Sequence, residues 1–207
     1  MQMGPHHRDA LADLLVWRRD VRHFKPDPVA PEVLERLRTA MDCAPAVGNA
    51  RPWRVLQVED RAKRQAIVEN FKAANDKAAE LYSDEKAEAY RALKLAGLQE
   101  APVHLAIWTE TAPAEGAGLG RQTMPEMLAY STVTAIQTLW LAARAENIGV
   151  GWVSILDPKG VKAVFDVPDS WSLTGYLCLG HPADTSDTPL LHRAGWQENT
   201  TTYWEIT

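Results

Sequence analysis

Cysteine is nearly absent. The chain has two, Cys43 and Cys178, and no CxxC pair, which excludes a disulfide framework and a cysteine-based zinc site. Both read as free thiols. No stretch approaches eighteen uncharged apolar residues, so no membrane span is expected. Met1 to Asp9 has no apolar core of the signal-peptide kind, and the cytoplasm is the expected compartment. Positive charge is not in excess either. The net charge of −5 removes nucleic acid as a partner attracted by the whole surface, so a bound phosphate would need a local cluster of arginines. The six histidines form no HExxH and no i, i+4 pair, and no metal is expected. His104, inside an apolar run, reads as a hydrogen-bonded core residue. In Gly116-Ala117-Gly118-Leu119-Gly120 the third glycine comes one residue too early for GxGxxG and no helix follows at once, which argues against a dinucleotide fingerprint. A flexible loop or a lid remains.

What is present suits one globular domain over 1–207, with 1–9 flexible and 183–207 an extended tail. The 46% hydrophobic content is enough for a core that needs no staples. Apolar spacing predicts a helix over 8–19 and a second opened by Pro31, with Val33, Leu34, Leu37 and Met41 facing inward. Residues 44–53 read as a loop and 53–58 as a strand. A long helical stretch follows over about 61–99, broken near Ser83. Strands are predicted over 103–109, 150–156 and 173–179. Residues 125–146 are apolar almost all round, which predicts a helix buried on every side. Strands and helices do not alternate as βαβ units, so the fold class is α+β rather than doubly wound.

Two constellations point to chemistry. Arg18-Arg19-Asp20-Val21-Arg22 sets three guanidiniums within five residues at a helix-to-loop turn. They can neutralise a phosphate by bidentate hydrogen bonds, or simply form a solvated basic helix end. Gly151-Trp152-Val153-Ser154 closes a buried strand. Glycine there lets backbone approach a flat ligand, and the serine offers one hydroxyl; a tight turn with a core serine is the plainer reading. Of the eight tryptophans, most are expected in the core and one or two as walls for a planar ligand.

Together these segments resemble a known family. Residues 18–24 (RRDVRHF) are similar to the FMN phosphate and ribityl signature of nitroreductase-type flavoproteins. Most such enzymes have serine where Asp20 stands, and the aspartate resembles the 5,6-dimethylbenzimidazole synthase family. The resemblance continues at 44–53, 90–98, 118–131, 139–156, 176–182 and 194–196, covering about residues 12–196. It implies a nitroreductase-like fold, with a central, mostly antiparallel sheet flanked by helices and a C-terminal arm reaching a partner subunit. It implies a homodimer with FMN at the subunit interface. Reduced FMN is then a substrate, broken down with dioxygen as co-substrate to 5,6-dimethylbenzimidazole, the lower ligand of vitamin B12, and erythrose 4-phosphate.

The resemblance also assigns residues. Arg18, Arg19 and Arg22 hold the phosphate and ribityl end, with Val21 beside them. Asp20 and Ser154 match the catalytic pair. Gly48 matches a backbone amide near dioxygen, and Lys94, Gly151, Trp152 and Val153 border the flavin. Arg19 and Arg22 are expected to keep Asp20 ionised as a base. One departure is Arg51, where the family has glutamine. A separate flavin reductase is expected, since no nicotinamide fingerprint is seen. The alternatives are an NAD(P)H-dependent FMN nitroreductase or flavin reductase, and a non-enzymatic FMN carrier or redox sensor.

Overall fold

A computed structural model describes residues 1–93, 95 and 97–207. Its centre is a four-stranded sheet in the order β1-β2-β4-β3, with every pair antiparallel. The strands are β1 (Trp53–Gln57), β2 (Val103–Glu110), β3 (Gly149–Val153) and β4 (Trp171–Gly180). Successive side chains of a strand point to opposite faces, and here both faces are covered. Leu105 and Ile107 of β2, with Leu177 and Leu179 of β4, pack under α2 (Pro31–Met41) and α5 (Met127–Ala145). Ala106, Trp108, Tyr176 and Cys178 pack on the other face, under α3 (Arg61–Ala79) and α6 (Pro158–Phe165). The α+β reading therefore holds, as three layers.

The helix expected over 8–19 is α1 (Pro5–Trp17). It ends before the arginines and buries none of its own side chains. The stretch expected over 61–99 is two helices. Asp60 caps α3, accepting from Ala62 N at 2.7 Å, and Ser83 stands at the N-cap of α4 (Asp84–Ala92). Helix α6 was not foreseen; Asp157 accepts the amides of Lys159 and Gly160, and Pro158 supplies the first position. Helix α5 is not buried on every side. Leu128, Ala135, Ile136, Leu139 and Ala143 face the sheet, while Tyr130 and Val133 are exposed. Periodicity registers how apolar a face is, and not what covers it. The short α7 (Leu190–Arg193) follows β4.

His104 lies fully inside this core. Its Nε2 faces the Ala101 carbonyl at 3.2 Å and its Nδ1 the Tyr176 hydroxyl at 3.0 Å. A carbonyl only accepts, so Nε2 carries the proton and the tyrosine donates to Nδ1. Burial, then the Arg64 charge, lowers the imidazole from 6.5 to about 4. The unfolded chain thus binds a proton between about pH 6.5 and 4 that the folded chain refuses. Stability falls as the pH drops through that window and levels off below it, by about 3 kcal/mol in all. In urea titrations at pH 7.5 and 4.5, wild type should lose roughly 2–3 kcal/mol more than His104→Gln. Equal losses would place the acid sensitivity elsewhere.

Candidate functional site

The segment from 18 to 25 is held by residues made much later in the chain. Asp20 and Val150 form a parallel bridge, and Val21 N donates to the Val150 carbonyl at 3.0 Å. Lys25 N donates to the His181 carbonyl at 2.8 Å, and Ala183 N to the His23 carbonyl at 3.0 Å. The outer edge of β3 is thereby closed, as an exposed strand edge must be. Gly151 permits this: a Cβ there would lie 2.2 Å from the Val21 carbonyl oxygen.

The three arginines have different surroundings. Arg19 turns back on α1, donating to the carbonyls of Leu15 and Val16, which is the helix-end role that its position allowed. Arg18 lies over the Trp140 ring, 4.8 Å from its centroid, and Trp140 Nε1 donates to the Arg19 carbonyl at 3.3 Å. Burial, and then the Arg19 charge, lowers the Arg18 guanidinium from its ordinary value. Arg22 points inward. One terminal nitrogen, Nη2, bonds the Trp152 carbonyl at 2.8 Å and the Asp20 carboxylate at 2.5 Å. The other, Nη1, is buried and has no hydrogen-bond partner among the described residues. Such a group is costly to leave alone, and it marks a place for an acceptor from outside the chain.

Asp20 accepts from Trp152 N at 2.9 Å through its other oxygen. It was expected to stay readily ionised between its arginines. Instead its carboxyl is raised above the ordinary value, because burial outweighs the opposing effects of Arg22, the Trp152 amide and Arg18. Its side chain is nevertheless 39% open to the cleft. Ser154 follows β3 directly and is exposed, two residues beyond the Trp152 amide that Asp20 holds.

Around this corner runs a cleft lined by Arg18 to His23, Trp17, Trp140, Arg144 and Gly149 on one side, and by Pro182, Asp184 to Ser186, Thr188, Leu190 and Arg193 on the other. Two further guanidiniums and three hydroxyls thus join the sequence motif. Arg144 stood in a recognised segment but offered no signal apart from its charge. The hydroxyl-rich stretch 185–188 was passed over as tail. Cationic groups with adjacent hydroxyls suit a phosphate.

The nitroreductase family profile matches residues 15–181. A 5,6-dimethylbenzimidazole synthase of Rhodobacter capsulatus is 57% identical over 205 residues, 99% of each chain. One of Rhodospirillum rubrum is 50% identical over 193 residues, 93% of this chain and 92% of the relative. The chain belongs to the 5,6-dimethylbenzimidazole synthase branch of the nitroreductase family. The family fold is also seen in a crystal structure of iodotyrosine deiodinase bound to FMN and 3-iodo-L-tyrosine, with a TM-score of 0.74 at 22% identity, covering 95% of this chain and 97% of that one.

Against the synthase pattern, not every expected residue meets in one chain. Gly151, Trp152, Val153 and Ser154 stand behind the cleft lining and not in it, and Gly48 does not line the cleft. Its φ of +55° places it against the carbonyls of Leu119 and Gly116, so the glycine-rich loop expected as a flexible segment or lid packs on the 47–49 turn. That turn is fixed to the N-terminal half of α5: Val47 N donates to Ser131 Oγ at 3.0 Å, and Thr134 Oγ1 to the Pro45 carbonyl at 3.0 Å. The cleft meets α5 at Trp140 and Arg144, about 13 Å further along the helix. Arg51, the departure from the pattern, donates to the Asp42 carbonyl at 2.8 Å and so serves the end of α2. Lys94 lies outside the described residues.

Proposed function

We propose that this chain converts reduced FMN and dioxygen into 5,6-dimethylbenzimidazole, releasing erythrose 4-phosphate. The observation that carries the reading is the Asp20 corner: an aspartate, where the wider family has serine, held between Trp152 N–H and Arg22 at the floor of an arginine-lined cleft. The fit to FMN rests on the orphaned Nη1 of Arg22 and on the cationic and hydroxyl lining.

Bound reduced FMN supplies both the electrons that activate dioxygen and the carbon skeleton of the product. The chain's residues supply the rest. Arg18, with Arg193 opposite, holds the phosphate, and Arg19 adds its charge beside them from the end of α1, while Arg22 and Val21 border the ribityl chain. Asp20 accepts the ribityl C1′ proton; its raised carboxyl suits a base, because proton transfer is most efficient when donor and acceptor affinities are close. Ser154 hydrogen-bonds the reacting ring, with Gly151, Trp152 and Val153 along its edge.

The working form is a homodimer. Leu11, Leu15, Val16 and Trp17 of α1 are about half exposed, as are Tyr130 and Val133 of α5. Apolar surface of that extent on neighbouring helices suits a second copy. A two-fold axis near the middle of α5 would bring the partner's Gly48 turn to the cleft, where its amide faces dioxygen. Beyond α7, Tyr203, Trp204 and Ile206 are exposed and suit an arm laid on the partner. Reduced FMN comes from a separate flavin reductase, and the cytoplasm is the compartment proposed. Among the described residues, no helix is long and apolar enough to cross a membrane.

The test supplies purified protein with FMN, an NADH-driven flavin reductase and air. 5,6-Dimethylbenzimidazole should appear by mass spectrometry, and only with both oxygen and reduced FMN. Intact flavin, with NADH consumed by the protein alone, would instead identify a nitroreductase.

A further inference from the structure

Residues outside the cleft form a second aromatic assembly. The Trp196 ring lies under the Lys86 ammonium, 3.6 Å from nitrogen to centroid, and the same ammonium donates to the Trp196 carbonyl at 3.2 Å. The edge of Trp196 meets Tyr82 at 5.4 Å and 84°. Tyr82 stacks on Tyr90 at 4.9 Å, and the Tyr90 hydroxyl donates to Asn75 of α3 at 2.8 Å. Trp196 is thus caged by α4 and the turn before it, although it belongs to the C-terminal segment.

Both partners in this cage lead back to the cleft. Upstream of Trp196, Asp184 to Arg193 form the cleft wall, and Trp196 N bonds the Leu191 carbonyl at 2.9 Å. Downstream of α4, Gly97 sits against the Phe24 ring and the Arg22 carbonyl, so closely that a Cβ would lie 2.4 Å from the ring. A chain of contacts therefore joins the cleft wall, Trp196 and α4. The stretch from the wall to Trp196 is short, so displacement of the wall is transmitted to α4 through one side chain.

We propose that Trp196 is a positioning residue which couples occupancy of the phosphate end of the cleft to the placement of α4. This inference rests on the flavin reading above. A ligand phosphate engaging Arg193 and the 185–188 hydroxyls fixes the wall, and Trp196 then holds α4. Lys86 is exposed, and Lys86→Ala removes both its cation–π contact with the Trp196 ring and its hydrogen bond to the Trp196 carbonyl while leaving the indole in place.

Hydrogen exchange on the full chain tests this with Trp196→Ala, Trp196→Phe and Lys86→Ala. Without ligand, amides of 84–92 should exchange about tenfold faster in Trp196→Ala and in Lys86→Ala, with β2 amides unchanged as the control for folding. Trp196→Phe should restore most of the protection. With FMN added, wild type should gain protection at 18–22 and at 84–92, whereas Trp196→Ala and Lys86→Ala gain it at 18–22 alone. Equal protection of 84–92 in wild type and in Lys86→Ala, with or without FMN, overturns the proposal. Should FMN protect neither segment of wild type, the flavin reading fails on its own, and the ligand-free comparison still decides whether Trp196 holds α4.

Discussion

Asp20→Asn should reduce formation of 5,6-dimethylbenzimidazole by 10²–10⁴-fold while changing FMN affinity by no more than about threefold. Asparagine keeps the shape of the side chain and can still accept from Trp152 N–H through its oxygen. Its amide would then face Arg22 in place of a carboxylate oxygen, and Arg22 retains its bond to the Trp152 carbonyl. The binding corner survives, but the site loses the carboxylate that Trp152 N–H and Arg22 hold. The pH profile separates the roles further. Ionised Asp20 is the active form, and burial raises its carboxyl. The acid limb of the wild-type profile should therefore fall above the ordinary carboxylate value, and it should vanish in the variant. If Asp20 only orders the arginines, the opposite pattern appears, with weaker FMN binding and nearly normal turnover at saturation. Titration of FMN fluorescence and product yield at saturating reduced FMN measure the two quantities independently.

Gly151→Ala should be nearly as damaging, for a different reason. Its Cβ would meet the Val21 carbonyl oxygen at 2.2 Å, and both atoms belong to or sit directly on backbone, so no rotamer relieves the clash. Strand β3 and the 20–22 segment must separate. That breaks the Val21–Val150 bond and pulls Trp152 away from Asp20 and Arg22. The expected cost is roughly 2–3 kcal/mol of stability and, from the dispersed arginines, about a hundredfold weaker FMN binding. Urea denaturation and FMN titration would measure both. A fully stable variant that binds FMN normally would mean that the two segments are not in register contact.

Strands and arginines were legible in the sequence for plain reasons. The core strands β2 and β4 are runs of apolar and β-branched residues, and three guanidiniums within five positions are unusual at any spacing. What each arginine does was not legible. Arg19 closes a helix end, Arg18 stacks on an indole 122 positions later, and only Arg22 reaches the aspartate. Counting the charges around Asp20 omits burial, which is the larger effect on its carboxyl. Helix α6 was overlooked although Asp157-Pro158 is a fair start signal; eight residues are too few for periodicity to speak. The cleft wall at 184–193 was invisible because its placement comes from backbone bonds to His23 and Lys25, which leave no trace in residue type.

Those same backbone bonds have a consequence for biosynthesis. The arginine segment leaves the ribosome well before its partners Val150, His181 and Ala183, which are made about 130–160 residues later. At ordinary elongation speeds the segment waits roughly 10–30 s for them. The flavin corner is therefore completed only once the fourth strand and the residues just after it have been made, and a chain stalled before that strand has α1 and its arginines but no place to hold FMN.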